Sequence, residues 1–295
     1  MKIVFLDAAT MGSTPLTEIE KLGELTTYES STAEEARERV KDADVALLNK
    51  IIVNKEFLDS APKLKLICEA GTGVATRNVA GYSTDSVAQI TWTLILALSG
   101  RLFHYNEYAR DGRYASGKIH TDSAHPYTEL AGKTIGIVGM GAIGNKVAKI
   151  AEMFGMKVIY YSTSGTSHCK EYPSVPLEQL MKESDVISVH APFNPRTAGL
   201  VGEKELRLMK PTAFIVNMGR GGIVVEDALA KVIDEGVIGG AGLDVFVTEP
   251  LPEDHPLLHT RHPEKLSLTP HTAWASVEAR QRLIEAIAAN IAQGF

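Results

Sequence analysis

Short apolar runs rich in β-branched residues alternate along this chain with stretches whose apolar positions recur at helical spacing. Runs at 3–6, 45–48, 64–68, 134–138, 157–161, 185–190, 213–217, 239–245 and 266–269 read as buried strands. Between them, helical patterns fall at about 16–22, 31–40, 56–60, 146–154, 203–209, 226–235 and 276–292. Thr32 is placed to cap the helix at 31–40, with Glu34 and Glu35 in its first turn. Regular β/α alternation predicts parallel sheets covered by helices.

One run stands out. Thr134 to Val138 leads into Gly139-Met140-Gly141-Ala142-Ile143-Gly144, then into a helix with Val147, Ile150, Ala151 and Phe154 on one face. Gly155 sits where a helix ends, and Lys157 to Tyr161 is the next strand. In this context G-x-G-x-x-G marks a dinucleotide turn. Gly139 permits the tight turn, Gly141 lets a pyrophosphate approach the backbone, and Gly144 lets helix and strand pack closely. The helix N-terminus offers free N–H groups to phosphates.

Two places break the rhythm. The strand at 64–68 ends in a Gly71-Thr72-Gly73 turn whose N–H groups suit either a carboxylate or a plain tight turn. Only Val74 to Arg77 then precede 78–82, which resembles another strand end. A parallel crossover needs about a dozen residues, so either the chain turns back differently or a segment is missing here. Further on, Ser83 to Ser86 supply capping groups for one long helix over about 86–109, followed by a polar arm at 111–129.

At 295 residues, two domains are expected. With 44% hydrophobic and 22% charged residues, the composition is that of a soluble globular protein. A net charge of −6 argues against a nucleic-acid or anionic-membrane surface. Cys68 and Cys169 form neither a disulfide framework nor a zinc motif, so no metal is expected. The opening run is too short for a signal peptide and the run at 92–98 too short to span a membrane, which together predict a cytoplasmic protein.

Three ionisable residues follow strands of the second half: Arg220 in Asn217-Met218-Gly219-Arg220-Gly221, Glu249 before Pro250, and His271 after Pro270. Reducing a 2-oxo acid requires an anchor for the carboxylate, a polariser for the carbonyl oxygen and a proton donor. An arginine supplies the first two and a histidine the third. A glutamate beside the imidazole favours its protonated form. Singly, each such residue is usually solvated surface. Behind a dinucleotide turn, the set points to hydride transfer.

These motifs, together with His190-Ala191-Pro192, Gly242-Leu243-Asp244-Val245-Phe246 and Thr269-Pro270-His271, resemble the D-isomer-specific 2-hydroxyacid dehydrogenase family, nearly end to end. The family includes glycerate dehydrogenase, also called hydroxypyruvate reductase. The resemblance implies an α/β fold of two Rossmann-like or flavodoxin-like doubly wound parallel-sheet domains with a cleft between them. It assigns 1–94 and 268–295 to a substrate domain and 95–267 to a dinucleotide domain. By the same resemblance Arg220 binds the substrate carboxylate and carbonyl, His271 is the acid/base and Glu249 its partner. Thr72, Gly73 and Tyr82 lie near the substrate. Gly139, Gly141, Ala142, Ile143, Gly144, Ser162, Ala191, Pro192, Thr197, Met218, Gly219, Arg220 and Asp244 contact the nicotinamide cofactor. A homodimer joined through the dinucleotide domains is implied, with the 86–129 region suited to that contact.

Two departures from the family stand in the sequence. The helix and strand that the family carries between Gly73 and Asn78 are absent, and a true deletion would damage the substrate domain's sheet. The acidic residue expected about twenty positions after the glycines, where it binds the ribose 2′-hydroxyl, is replaced by Ser162 in a hydroxyl-rich loop. No arginine lies in that loop and Lys170 is its nearest base, so NAD is expected, with NADP possible. The predicted activity interconverts a small 2-oxo acid such as hydroxypyruvate, glyoxylate or pyruvate and its D-2-hydroxy acid. Trp274 either narrows the pocket towards small acids or simply packs. A phosphorylated substrate would want more bases near Gly73 than Arg77 alone. The alternative is a dinucleotide-sensing, corepressor-like binding protein, but no disordered tail or peptide-binding surface is legible.

Overall fold

The computed structural model describes residues 1–71 and 78–293, so Thr72 and Gly73 lie outside the described residues. The chain forms two compact units, Met1–Ser83 with Trp274–Phe295, and Thr84–Ala273.

The first unit holds a parallel sheet of β1 (Lys2–Phe5), β2 (Glu24–Thr27), β3 (Val45–Leu48) and β4 (Leu66–Glu69) in the order β2-β1-β3-β4. Strand alternation sends Ile3, Phe5, Val45, Leu47 and Cys68 to one face, where Leu283, Ile284 and Ile287 of the C-terminal helix (Val277–Ala292) cover them. Val4, Leu6, Ala46, Leu48 and Ile67 cover the other face with Ala36 and Phe57 from α2 (Ala33–Arg39) and α3 (Lys55–Asp59); α1 (Thr17–Glu20) precedes them in the chain. Thr32 caps α2 in a reciprocal box with Glu35. The pattern of apolar residues did not announce β2, because it is a mostly exposed edge strand of Glu24, Leu25, Thr26 and Thr27.

Residues 78–82 form a turn, not a strand end, with Val79 N–H donating to Gly71 O at 3.1 Å. Among the described residues no strand follows β4 in this sheet. At the C-terminal end of β1, the buried Asp7 carboxylate accepts the N–H of Asn49 at 3.0 Å and of Lys50 at 2.7 Å, tying β1 to the end of β3.

The second unit begins with α4 (Thr84–Ser99), α5 (Leu102–Arg110) and α6 (Arg113–Ser116). The expected single helix over 86–109 is thus two, meeting at 60°. The break falls at Gly100-Arg101, where Arg101 is left-handed (φ 49°) and cannot continue a right-handed helix. α4 is largely buried, whereas α5 buries no residue. The sheet comprises β5 (Thr134–Val138), β6 (Lys157–Tyr161), β7 (Val186–Val189), β8 (Phe214–Asn217), β9 (Gly240–Leu243) and β10 (Leu266–Leu268), all parallel, in the order β10-β9-β8-β7-β5-β6. Its helices are α7 (Ala142–Met153), α8 (Leu177–Glu183), α9 (Glu203–Leu206) and α10 (Glu226–Asp234). Strand order reverses at β5, which places the glycine turn at the topological switch point.

The units divide at 83/84 and 273/274, while the resemblance places the boundaries at 94/95 and 267/268. Leu94 and Leu98 of α4 lie against Gly242 and Gly240 of β9, so the whole helix goes with the second sheet. At the other boundary Asp244 holds the backbone of Thr272 and Ala273.

Candidate active site

The glycine turn is tight on two sides and open on the third. Gly139 adopts φ +94°, and a Cβ there would press on Ala191 Cα at 3.0 Å, while one at Gly144 would strike Gly139 O at 2.4 Å. A Cβ at Gly141 would meet no described residue within 4 Å. Gly141 caps α7 and, among the described residues, no side chain bonds the first N–H groups, so this end, with Ala142 and Ile143, fits a pyrophosphate. Gly139 N–H donates to Tyr161 O at 3.1 Å, which puts the loop starting at Ser162 beside the glycine turn.

Not every residue expected at the cofactor presents its side chain outward. Thr197 is fully buried; its Oγ1 donates to Pro192 O at 2.6 Å and accepts from Asn194 N–H at 2.9 Å, fixing the loop after β7. Ala191 and Met218 are buried and Pro192 is exposed. Gly219 packs so closely that a Cβ would meet Ala191 O at 2.6 Å. Asp244 is buried and accepts from Thr269 Oγ1 at 2.6 Å, Thr272 N–H at 2.9 Å and Ala273 N–H at 3.0 Å. Its carboxylate therefore shapes the loop that carries His271. Burial pushes this carboxyl above its ordinary value, opposed by those donors and by the charge of His271. Ser162 Oγ donates to Thr166 O at 2.7 Å.

The three expected catalytic residues sit on successive strand-end loops. His271 follows β10 and is half-buried in a left-handed conformation (φ 49°), unusual for a non-glycine residue and a mark of functional loops. Its Nδ1 lies 2.7 Å from Glu249 Oε2, and Glu249 Oε1 accepts Phe246 N–H at 3.0 Å. Arg220 follows β8 and is exposed, with Nη1 donating to Gly219 O at 2.8 Å. The buried Asn217 shapes this turn, donating to Arg220 O at 2.9 Å and accepting Gly219 N–H at 3.1 Å. Gly221 then lies directly on the chain at Phe246, where a Cβ would come within 2.0 Å of its carbonyl carbon. The Arg220 turn thus abuts the loop that holds Glu249, and Glu249 holds His271.

Tyr82 lies in the first unit's core, edge-on to Trp274 with centroids 6.3 Å apart, and its carbonyl accepts from Arg282 Nε at 3.0 Å. Two features were not legible in the sequence. Arg196, on the loop after β7, reaches the loop after β6 and donates from Nη1 to Ser164 O at 2.9 Å. Only the neighbouring ends of β6, β5 and β7 make that contact foreseeable. His190 pairs through Nε2 with Ser188 Oγ at 2.8 Å, while its Nδ1 is shut off from solvent without a partner among the described residues. Burial depresses its pKa from 6.5 to about 3, so the ring is neutral. Among the described residues one group of metal-type ligands gathers, His104, Asp122 and His125. Both rings bond the Asp122 carboxylate, at 2.8 and 3.0 Å, and the His104 bond lowers its pKa.

A doubly wound sheet with an open glycine turn, bearing an arginine, a glutamate and a histidine on adjoining strand ends, defines a dinucleotide-linked oxidoreductase. Comparison with known proteins narrows the class. Residues 92–273 match the family model for the D-isomer specific 2-hydroxyacid dehydrogenase NAD binding domain, and residues 3–76 match the model for its catalytic domain. The chain is 35% identical to a glycerate dehydrogenase of Methylorubrum extorquens, covering 98% of this chain and 95% of that one. It is 39% identical to a glyoxylate reductase of Korarchaeum cryptofilum, covering 86% and 80%. An acyclic imino acid reductase solved with NADPH and D-Arg superposes with a TM-score of 0.87 at 31% identity, covering 99% and 98%. The chain belongs to the D-isomer-specific 2-hydroxyacid dehydrogenase family. It is an NAD-linked oxidoreductase that interconverts 2-oxo and 2-hydroxy acids, and the comparisons do not favour the corepressor-like reading. The match to the glycerate dehydrogenase runs over 307 positions, more than the 295 residues of this chain, so the relative carries residues that this chain lacks.

Proposed function

We propose that the enzyme reduces a small unbranched 2-oxo acid, glyoxylate to glycolate or hydroxypyruvate to D-glycerate. The observation that carries this reading is the Glu249–His271 pair at 2.7 Å, joined through Phe246 and Gly221 to the Arg220 turn. Arg220 presents a planar fork to the substrate carboxylate and the carbonyl oxygen. Glu249 engages Nδ1 of His271, which leaves Nε2 to hold the transferable proton and deliver it to the carbonyl oxygen. In the reverse direction Nε2 takes that proton back. When bound, the reduced nicotinamide supplies the hydride that adds to the carbonyl carbon. Asp244 acts on the reaction through the His271 loop that it braces.

The glycerate dehydrogenase and glyoxylate reductase relatives support the small-acid reading. The missing carboxylate at Ser162, and the related reductase solved with NADPH, support use of NADPH as well as NADH. A homodimer through the second unit is supported by the exposed apolar residues Leu96, Leu102, Phe103, Ile119 and Tyr127 on α4, α5 and the arm. No single helix among the described residues is long and apolar enough to cross a membrane, and two cysteines in 295 residues make no disulfide framework, which supports placing the enzyme in the cytoplasm. Initial rates with glyoxylate, hydroxypyruvate and pyruvate, each with NADH and NADPH, test the reading. Absence of turnover on all three acids would sink it.

A further inference from the structure

We infer that Arg196, together with the hydroxyl-rich 162–167 loop, forms a subsite for the 2′-phosphate of the dinucleotide and makes NADPH the preferred cofactor. The inference rests on reading the Gly139–Gly144 turn as a dinucleotide site, and concerns only which dinucleotide it selects.

Position comes first. Gly139 N–H donates to Tyr161 O at 3.1 Å, so the residues just beyond β6 flank the turn where the adenosine ribose of a dinucleotide lies. In proteins that select NAD, a carboxylate there bonds the ribose hydroxyls and repels a 2′-phosphate. Here the segment from Ser162 to Lys170 contains no acidic residue. It offers the exposed hydroxyls of Ser164 and Thr166 beside that of Ser162.

Charge comes from another loop. Arg196 lies well over twenty positions further along, yet its Nη1 sits 2.9 Å from Ser164 O and would lie 3.7 Å from a Cβ on Gly165. The guanidinium is thereby laid along the Ser164–Gly165 backbone while the residue remains exposed. Among the described residues it forms no ion pair, so its charge is not spent on a carboxylate. The backbone that carries it is held firmly. Arg196 N–H donates to Asn194 Oδ1 at 2.9 Å, and the next residue is the buried Thr197 that ties the loop to Pro192. A guanidinium held this way, with N–H groups left over, suits a dianionic phosphate ester, which it can grip through two parallel bonds. In a chain of net charge −6, this local guanidinium is the arginine that the 162–170 segment, whose own base is Lys170, lacks.

The test is direct titration of the protein with NADPH and with NADH, followed by nicotinamide fluorescence, in wild type, Arg196→Gln and Arg196→Lys. Gln keeps a donor for Ser164 O but removes the charge. The wild type should bind NADPH more tightly than NADH, and Arg196→Gln should weaken NADPH by about 10- to 100-fold, the worth of a charge-assisted bond, with NADH altered less than about threefold. Arg196→Lys should fall between. Ser162→Asp should move the preference towards NADH. NADH bound as tightly as NADPH by the wild type, or equal weakening of both in Arg196→Gln, would overturn the subsite. Failure of both dinucleotides to bind would instead overturn the reading of the glycine turn, and the subsite with it.

Discussion

The two parallel sheets of this protein treat their strand ends in opposite ways. In the first, the switch point between β1 and β3 is closed from within. Asp7 supplies its own anion to the N–H groups of Asn49 and Lys50. Burial still raises its carboxyl above the ordinary value, although those two N–H groups pull it down. In the second, the switch point between β5 and β7 is left open. Among the described residues no side chain caps α7 and none crowds Gly141, and the loops after β8, β9 and β10 bring Arg220, Glu249 and His271 to adjoining positions. A filled site gives rigidity, whereas an open one keeps its electrostatic potential for a ligand. Changes at the second set of strand ends should therefore remove function and spare stability, and a change at Asp7 should do the reverse.

The largest effect is expected from His271→Ala, which should lower kcat by about 10²- to 10⁴-fold, the usual contribution of a general acid. Dinucleotide affinity, followed by fluorescence titration, should stay as it was. Unchanged turnover would take His271 out of the proposed role. Next, Arg220→Gln should raise KM for the 2-oxo acid by about 10- to 100-fold through loss of a charge-assisted contact, with the unfolding midpoint in urea preserved. A KM that did not move would place the carboxylate elsewhere.

The first sheet is probed by Asp7→Ala, which orphans two buried N–H groups and should destabilise the fold by about 1–3 kcal/mol. Urea titration measures this, and a neutral result would mean that the N–H groups find water. Gly141→Val adds a side chain to open space. It should leave stability within about 1 kcal/mol yet weaken dinucleotide binding by about tenfold or more through the blocked helix terminus.

The effect that is smallest at neutral pH concerns acidification. A histidine whose folded pKa lies near 3 binds its proton only in the unfolded chain between pH 6.5 and about 3, so acidification through that window favours unfolding. Replacing it with glutamine, His190→Gln, should flatten the fall in stability by about 1.4 kcal/mol per pH unit. Asp7 and Asp244, whose carboxyls are raised, act in the opposite sense just above 3.8. The difference between variant and wild type, not the wild-type curve, therefore isolates His190. Parallel curves would show that its ring is solvated.

Much of this could be read from neighbours along the chain. The runs that became nine of the ten strands, the capping box at Thr32, the glycine turn and the three strand-end residues are all encoded within a few positions, because periodicity and turn chemistry are local. What depended on strand order was not legible. The edge strand β2 has too little burial to leave an apolar signature, and the break at Gly100-Arg101 interrupts a region whose helical pattern reads as continuous. The roles of Thr197 and Asp244 as braces, the orphaned Nδ1 of His190 and the reach of Arg196 to Ser164 join groups from different loops. Sequence thus determined which chemistry the protein carries. Only the tertiary structure decided which side chains remain outward for ligands and which are consumed in holding the loops, since burial and hydrogen-bond satisfaction arise between segments distant in the chain.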